Sequence, residues 1–139
     1  MEPIVSKPEL SNKPTIIAVV GASASGKTLF AQTVFDELLP ELGEAGISII
    51  KEDAYYRCQD HLSMEHRLAT NYDHPAAFEH ELLQEHLQEL VKGNSVESPI
   101  YCYKTYTRTS ETDTLQPTPI ILLEGIMLLS NTALRNCFD

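Results

Sequence analysis

"VVGASASGKTLF", Val19 to Phe30, decides how this chain is read. A run of apolar residues gives way to Gly, Ala and Ser, then to a single lysine and the start of a helix-like pattern. Gly21, Gly26, Lys27 and Thr28 satisfy G-x-x-x-x-G-K-[ST], between a predicted strand and a predicted helix, the context in which that pattern holds phosphate. Glycines let backbone N–H groups converge with no Cβ in the way, and a helix N-terminus adds partial positive charge. Gly21, Ala22, Ser23, Ala24, Ser25, Gly26, Lys27 and Thr28 are therefore the expected nucleotide-binding residues. Lys27 would reach the β- and γ-phosphates, and the Thr28 hydroxyl would ligate Mg²⁺.

Outward from this loop, "TIIAVV" (15–20) is a short β-branched apolar run of the kind buried on both faces of a parallel sheet. After it Phe30, Val34 and Leu38 recur every four residues, a helical stripe that Pro40, Gly43 and Gly46 are expected to end. "ISII" (47–50) is the second strand, which makes a β-α-β unit. The polar segment 51–73 reads as a substrate-facing loop, with Ser63 capping a short helix. A long helix is expected from Pro75 to Gly93, with Asp73 or His74 ahead of it and a stripe of Phe78, Leu82, Leu83, Leu87 and Leu90. "SPIYCYKTYTRT" (98–109) reads as extended, which would put Tyr101, Tyr103 and Tyr106 on one side. Ile120–Leu123 is one more buried strand, ending on Glu124 and Gly125.

Composition limits the function. Ten Lys and Arg against twenty Asp and Glu leave a net charge of -10, which argues against nucleic acid or anionic membranes as partners. A loop that binds phosphate through backbone dipoles explains how so acidic a chain could hold a nucleotide. The three cysteines, Cys58, Cys102 and Cys137, fit no zinc or disulfide spacing, which points to a reducing, cytoplasmic setting. Residues 1–14 have no apolar signal core and read as a flexible tail, ahead of one domain over 15–139. The five histidines show no metal-ligand spacing and are expected on the surface or at helix caps.

Three acids stand where chemistry could use them. Asp53 lies just past the second strand, at the sheet edge where open α/β folds bind ligands. It could take a proton from a hydroxyl, hold Mg²⁺, or be an exposed loop acid. Glu124 either reaches that same edge, linked to Mg²⁺, or is a costly buried charge. Asp73 reads from spacing alone as a helix cap. The tyrosines could be core or could stack on a planar base.

"GASASGKT", "EDAYYR", "HLSMEHRLATNYDHPAAFEHELLQEHLQEL", "SPIYCYKTYTR" and "ILLEGIMLLS" together resemble the uridine kinases (uridine-cytidine kinases), members of the P-loop nucleoside-kinase group. The resemblance runs from about Ile16 to the last residue, and "NYDHPAAF", the tyrosine run and "LEGI" are its specific parts. It implies a P-loop NTPase-type α/β fold, three-layer α/β/α, with a parallel sheet and flanking helices. It also implies transfer of the γ-phosphoryl of ATP or GTP to the 5′-hydroxyl of uridine or cytidine in pyrimidine salvage. By that likeness Asp53 and Lys27 are the catalytic residues, Asp53 as general base. Thr28, Glu124 and Asp53 surround Mg²⁺. Asp73 matches the residue that holds the ribose hydroxyls, and Tyr56, Tyr101, Tyr103, Tyr106 and Arg108 fall on substrate-binding positions.

The chain departs from that pattern twice. Tyr106 stands where relatives have a histidine against the pyrimidine edge, which implies a shifted base preference. The sequence stops at "LRNCFD", so the C-terminal part, including an arginine-rich lid, is expected to be missing. Two other readings follow: a P-loop kinase of another small alcohol, and a catalytically inactive nucleotide-binding module. A homo-oligomer is left open.

Overall fold

The computed structural model describes residues 14–21 and 26–138. The expected tail lies outside the described residues except for Pro14, which is buried and so belongs to the folded part. The chain forms β1 (Thr15–Val20), α1 (Lys27–Leu42), β2 (Ile47–Lys51), a 3-10 turn (Glu52–Tyr55), α2 (Met64–Leu68), a second 3-10 turn (Pro75–Ala77) and α3 (His80–Val91). β3 (Val96–Cys102), β4 (Thr107–Leu115), β5 (Ile120–Gly125), a further 3-10 turn (Leu128–Ser130) and α4 (Thr132–Arg135) follow.

Among the described residues, β1, β5 and β2 form one parallel sheet in that order. β1 and β2 run parallel, as a β-α-β unit requires, but β5 lies between them. The central strand is the most apolar one, and Ile121, Leu122 and Leu123 are each at most 1% exposed. Side chains alternate across a strand. Ile121 and Leu123 join Leu83, Leu87 and Leu90 of α3 in one core, while Leu122 points to the opposite face, where α1 lies against the sheet. The expected α/β/α layering is therefore observed.

Four expectations need correction. Pro40 does not stop the first helix, which runs on to Leu42. Its ring sits on the exposed side, and the helix ends instead at Gly43, whose φ of 76° and N–H bonded to Leu39 O supply the terminus. On α1 it is Ala31 that is fully buried, whereas Phe30 is 60% exposed. The long helix from Pro75 is split, because Phe78 and Glu79 leave helical geometry to pair with the segment around Tyr56. Arg57 N donates to Ala77 O at 2.9 Å, and Glu79 N donates to Tyr55 O at 2.8 Å.

The extended tyrosine segment is a hairpin, with β3 and β4 antiparallel and Tyr103–Tyr106 in its turn. Tyr103 and Tyr106 therefore do not share a strand face with Tyr101. Tyr106 takes a left-handed φ of 56°, which lets its N–H reach Cys102 O at 2.8 Å. The fourth correction concerns histidines: His80 and His86 are buried, 5% and 8% exposed. Ser63 does cap α2, accepting from His66 N.

Candidate functional site

The parallel register places the exits of all three strands together. Val19 and Lys51 both pair with Glu124, and Gly21 N donates to Gly125 O at 3.2 Å. The start of the nucleotide loop thus sits against the end of β5. Gly26, at the other end of that loop, has φ 84° and starts α1, a conformation that L side chains disfavour. Ala22 to Ser25 and the side chains of Lys27 and Thr28 lie outside the described residues.

Asp53 follows β2 in the tight turn Glu52–Tyr55 and is half-buried. Glu124 is 3% exposed at the end of β5. Both line one small polar pocket of about 60 Å³, together with Glu52, Tyr56, Phe78, Gly125 and Ile126. Glu124 is thus both at the sheet edge and buried. Among the described residues no group of three or more His, Cys, Asp or Glu is placed to hold a metal ion. Two carboxylates on one pocket do fit Mg²⁺, a hard cation that usually keeps several waters and takes one or two carboxylates.

A second, larger cleft of about 290 Å³ opens from Asp53 towards the hairpin, lined by Ser98, Tyr101, Tyr103 and Asp113 among others. The aromatic rings form a continuous cluster beside it. Tyr56 stacks on Phe78 at 4.5 Å and 19° and meets Tyr101 at 5.2 Å and Tyr72 at 5.1 Å. Tyr101 meets Tyr103 at 5.1 Å. Tyr106 joins through Tyr72, at 6.2 Å. The tyrosines do come together, by tertiary contact and the hairpin turn, not by strand alternation.

Burial, followed by the charges of Asp53 and Asp73, pushes the Tyr56 hydroxyl up to about 12. Tyr103 is also pushed up, by desolvation first and then by the charge of Asp53 and a hydrogen bond to it. Both phenols therefore stay neutral donors across the physiological range. Asp73 is exposed and acts electrostatically on Tyr56. The cap ahead of Pro75 is His74, which accepts from Ala76 N at 3.0 Å, so the capping reading of Asp73 does not hold.

Arg108 is turned behind the ring cluster. Its Nε donates to Tyr56 O at 2.9 Å, and it pairs with Glu79 at 2.9 Å. It ties β4 to the segments around Tyr56 and Glu79.

Sequence reasoning missed several residues of the site. Gln59, 6% exposed, donates to the Tyr72 hydroxyl and to Tyr106 O, both at 2.8 Å, and accepts from Thr70. It locks the turn that carries Tyr106. Glu52 is buried at the pocket wall, and His80 is buried behind it, 2.6 Å from its carboxylate. An acid directly after a buried strand was a signal for Glu52 as much as for Asp53. His80 and Gln59 carry no such local signal.

A parallel sheet with a glycine-rich loop at one strand exit and carboxylates at the two neighbouring exits defines the class, a P-loop α/β fold built for phosphate chemistry. The chain belongs to the phosphoribulokinase/uridine kinase family, whose model matches residues 16–139. It is 54% identical over 129 residues to the uridine kinase of Shewanella amazonensis, a match covering 93% of this chain and 61% of that protein. The uridine kinase of Vibrio atlanticus is 54% identical over 125 residues, covering 90% and 59%. The chain thus spans about three fifths of these relatives' length. A solved structure described as a possible uridine kinase from Bacillus stearothermophilus superposes with a TM-score of 0.68 at 20% identity, over 98% of this chain and 74% of that one. That likeness shows the fold.

Proposed function

We propose that this chain carries the nucleotide and acceptor sites of a uridine/cytidine kinase, which moves the γ-phosphoryl of ATP or GTP to the 5′-hydroxyl of uridine or cytidine. The observation that carries the reading is Asp53, which lines both the polar pocket it shares with Glu124 and the larger cleft beside the tyrosines. A base in that position can take the proton of a hydroxyl presented from the cleft while the phosphoryl donor lies over the loop. The loop from Gly21 to Thr28 holds the phosphates, with Lys27 on the transferred group. Thr28, Asp53 and Glu124 would hold Mg²⁺, which when bound neutralises charge on the phosphate oxygens.

Tyr56, Tyr101 and Tyr103 offer faces and neutral hydroxyls to the nucleoside, and Asp73, near enough to act on Tyr56, suits its ribose hydroxyls. Tyr106, held by Gln59, faces the base edge. Three free cysteines fit a reducing, cytoplasmic setting. No helix among the described residues is long and apolar enough to cross a membrane.

The test is transfer from [γ-³²P]ATP to uridine and cytidine with Mg²⁺, beside Asp53→Asn. Removing a general base should lower kcat by about 10²- to 10⁴-fold. Unchanged turnover in the variant would remove Asp53 from the mechanism. A folded, ATP-binding protein that forms no product would be a nucleotide-binding module instead.

A further inference from the structure

Glu52 is 1% exposed, and its hydrogen bonds tie the turn after β2 to two other segments. Oε2 lies 2.6 Å from His80 Nε2, and Oε1 accepts from Ile126 N at 2.8 Å and Met127 N at 3.0 Å. Oε2 accepts from His80 when Nε2 carries the ring proton. Glu52 immediately precedes Asp53, and Ile126 follows Glu124 with only Gly125 between. The clamp therefore ties together the two strand exits that carry the carboxylates of the polar pocket. His80 in turn stacks on Phe78 at 5.4 Å and 1°, and Phe78 stacks on Tyr56.

Asp53 and Glu124 face one small pocket from adjacent strand exits, and Asp53 lies in the turn beyond the last paired residue of β2, so its distance from Glu124 depends on what fixes that turn. We propose that Glu52 and His80 are positioning residues of the phosphoryl transfer. The His80-held carboxylate grips the backbone after β5 and sets the gap between Asp53 and Glu124, while Phe78 transmits the same alignment to Tyr56. The inference rests on the kinase reading above and adds residues that touch neither nucleotide nor nucleoside.

The test compares Glu52→Ala, Glu52→Gln and His80→Ala with the unaltered chain. Glutamine keeps an oxygen for the two amides and can donate to His80 if the ring takes its other tautomer. Misplacement of about 1 Å can lower rates about 10²-fold. Glu52→Ala should therefore lose about that much in kcat, with the nucleoside KM within about twofold. His80→Ala should lose less, and Glu52→Gln should be restored to within a few-fold.

In the Asp53→Asn background, Glu52→Ala should add almost nothing, because it acts through Asp53. Equal losses in Glu52→Ala and Glu52→Gln, or full additivity with Asp53→Asn, would overturn the proposal. A Glu52→Ala variant with no cooperative melt leaves His80→Ala to decide, and unaltered kcat there also overturns it.

If the unaltered chain transfers no phosphoryl group, the kinase reading fails on its own. The clamp is then judged by Mn²⁺ binding in the presence of ATP, followed by loss of the free-ion electron paramagnetic resonance signal. Weaker Mn²⁺ binding in Glu52→Ala but not in Glu52→Gln supports it, and equal binding in all three overturns it.

Discussion

Gly125→Ala tests the clamp through stability. A Cβ built at Gly125 would lie 2.5 Å from Glu52 Oε1, 2.6 Å from Glu52 Cβ and 2.9 Å from Glu52 Cδ. Carbon atoms rest at about 3.5–4.0 Å, so the overlap is about 1 Å. Rotating the Glu52 side chain could move its oxygen but not its Cβ, so backbone on one side must shift. Overpacking of that kind costs about 1–3 kcal/mol. A shift that breaks the bonds from Ile126 and Met127 adds about 1.5–3 kcal/mol for each charge-assisted bond lost.

Overpacking with one such bond lost therefore totals about 2.5–6 kcal/mol. With a urea slope of about 1–3 kcal/mol per molar, the midpoint should fall by about 2 M. Gly93→Ala is the control, since Gly93 has φ 94° but nothing within 4 Å of its Cβ site. It should cost only the backbone strain of about 1–2 kcal/mol. Glu52→Ala in the Gly125→Ala background should recover part of the loss, because two of the three contacts vanish while the Cβ contact stays. A Gly125→Ala midpoint no lower than that of Gly93→Ala would refute the reasoning.

Three further outcomes are expected. Desolvation lowers the pKa of His86, whose Nδ1 lies 2.8 Å from the Tyr55 hydroxyl. The unfolded chain then takes up that proton before the folded one does, so stability should fall as pH drops through about 6.5. Thermal melts should show a steeper acid loss in the unaltered chain than in His86→Gln, and parallel curves would count against it. Arg108→Ala leaves Tyr56 O without its donor and Glu79 without its ion-pair partner and should lower stability by about 2 kcal/mol; an unmoved urea midpoint would show that the arginine does not brace this region. Tyr106→His should change the ratio of uridine to cytidine turnover, and an unchanged ratio would remove residue 106 from base selection.

How far the sequence could be read follows from how local each signal is. The nucleotide loop, the strands at Thr15–Val20, Ile47–Lys51 and Ile120–Gly125, and the Ser63 cap are written in contiguous residues. Each is decided by interactions a few positions apart, through φ preferences, apolar runs and capping hydrogen bonds. Asp53 and Glu124 were legible because Asp53 follows such a strand and Glu124 stands near the end of one, and parallel strands end at a common edge.

What needed the tertiary structure is everything set by contacts distant in the chain. β5 is last among the described strands yet central, because it is the strand apolar enough to be covered on both faces. The break at Phe78 exists because its backbone pairs with Tyr56, and no propensity of "HPAAFEH" announces that. His80 and His86 look like polar residues on a surface helix, but Glu52 and the Tyr55 hydroxyl, on the turn after β2, satisfy their ring nitrogens. Their hydrogen bonds make burial affordable. The sequence by itself determined the three strands of the parallel sheet and the two acids at their ends; only folding decided which buried polar partners fix the backbone around those acids.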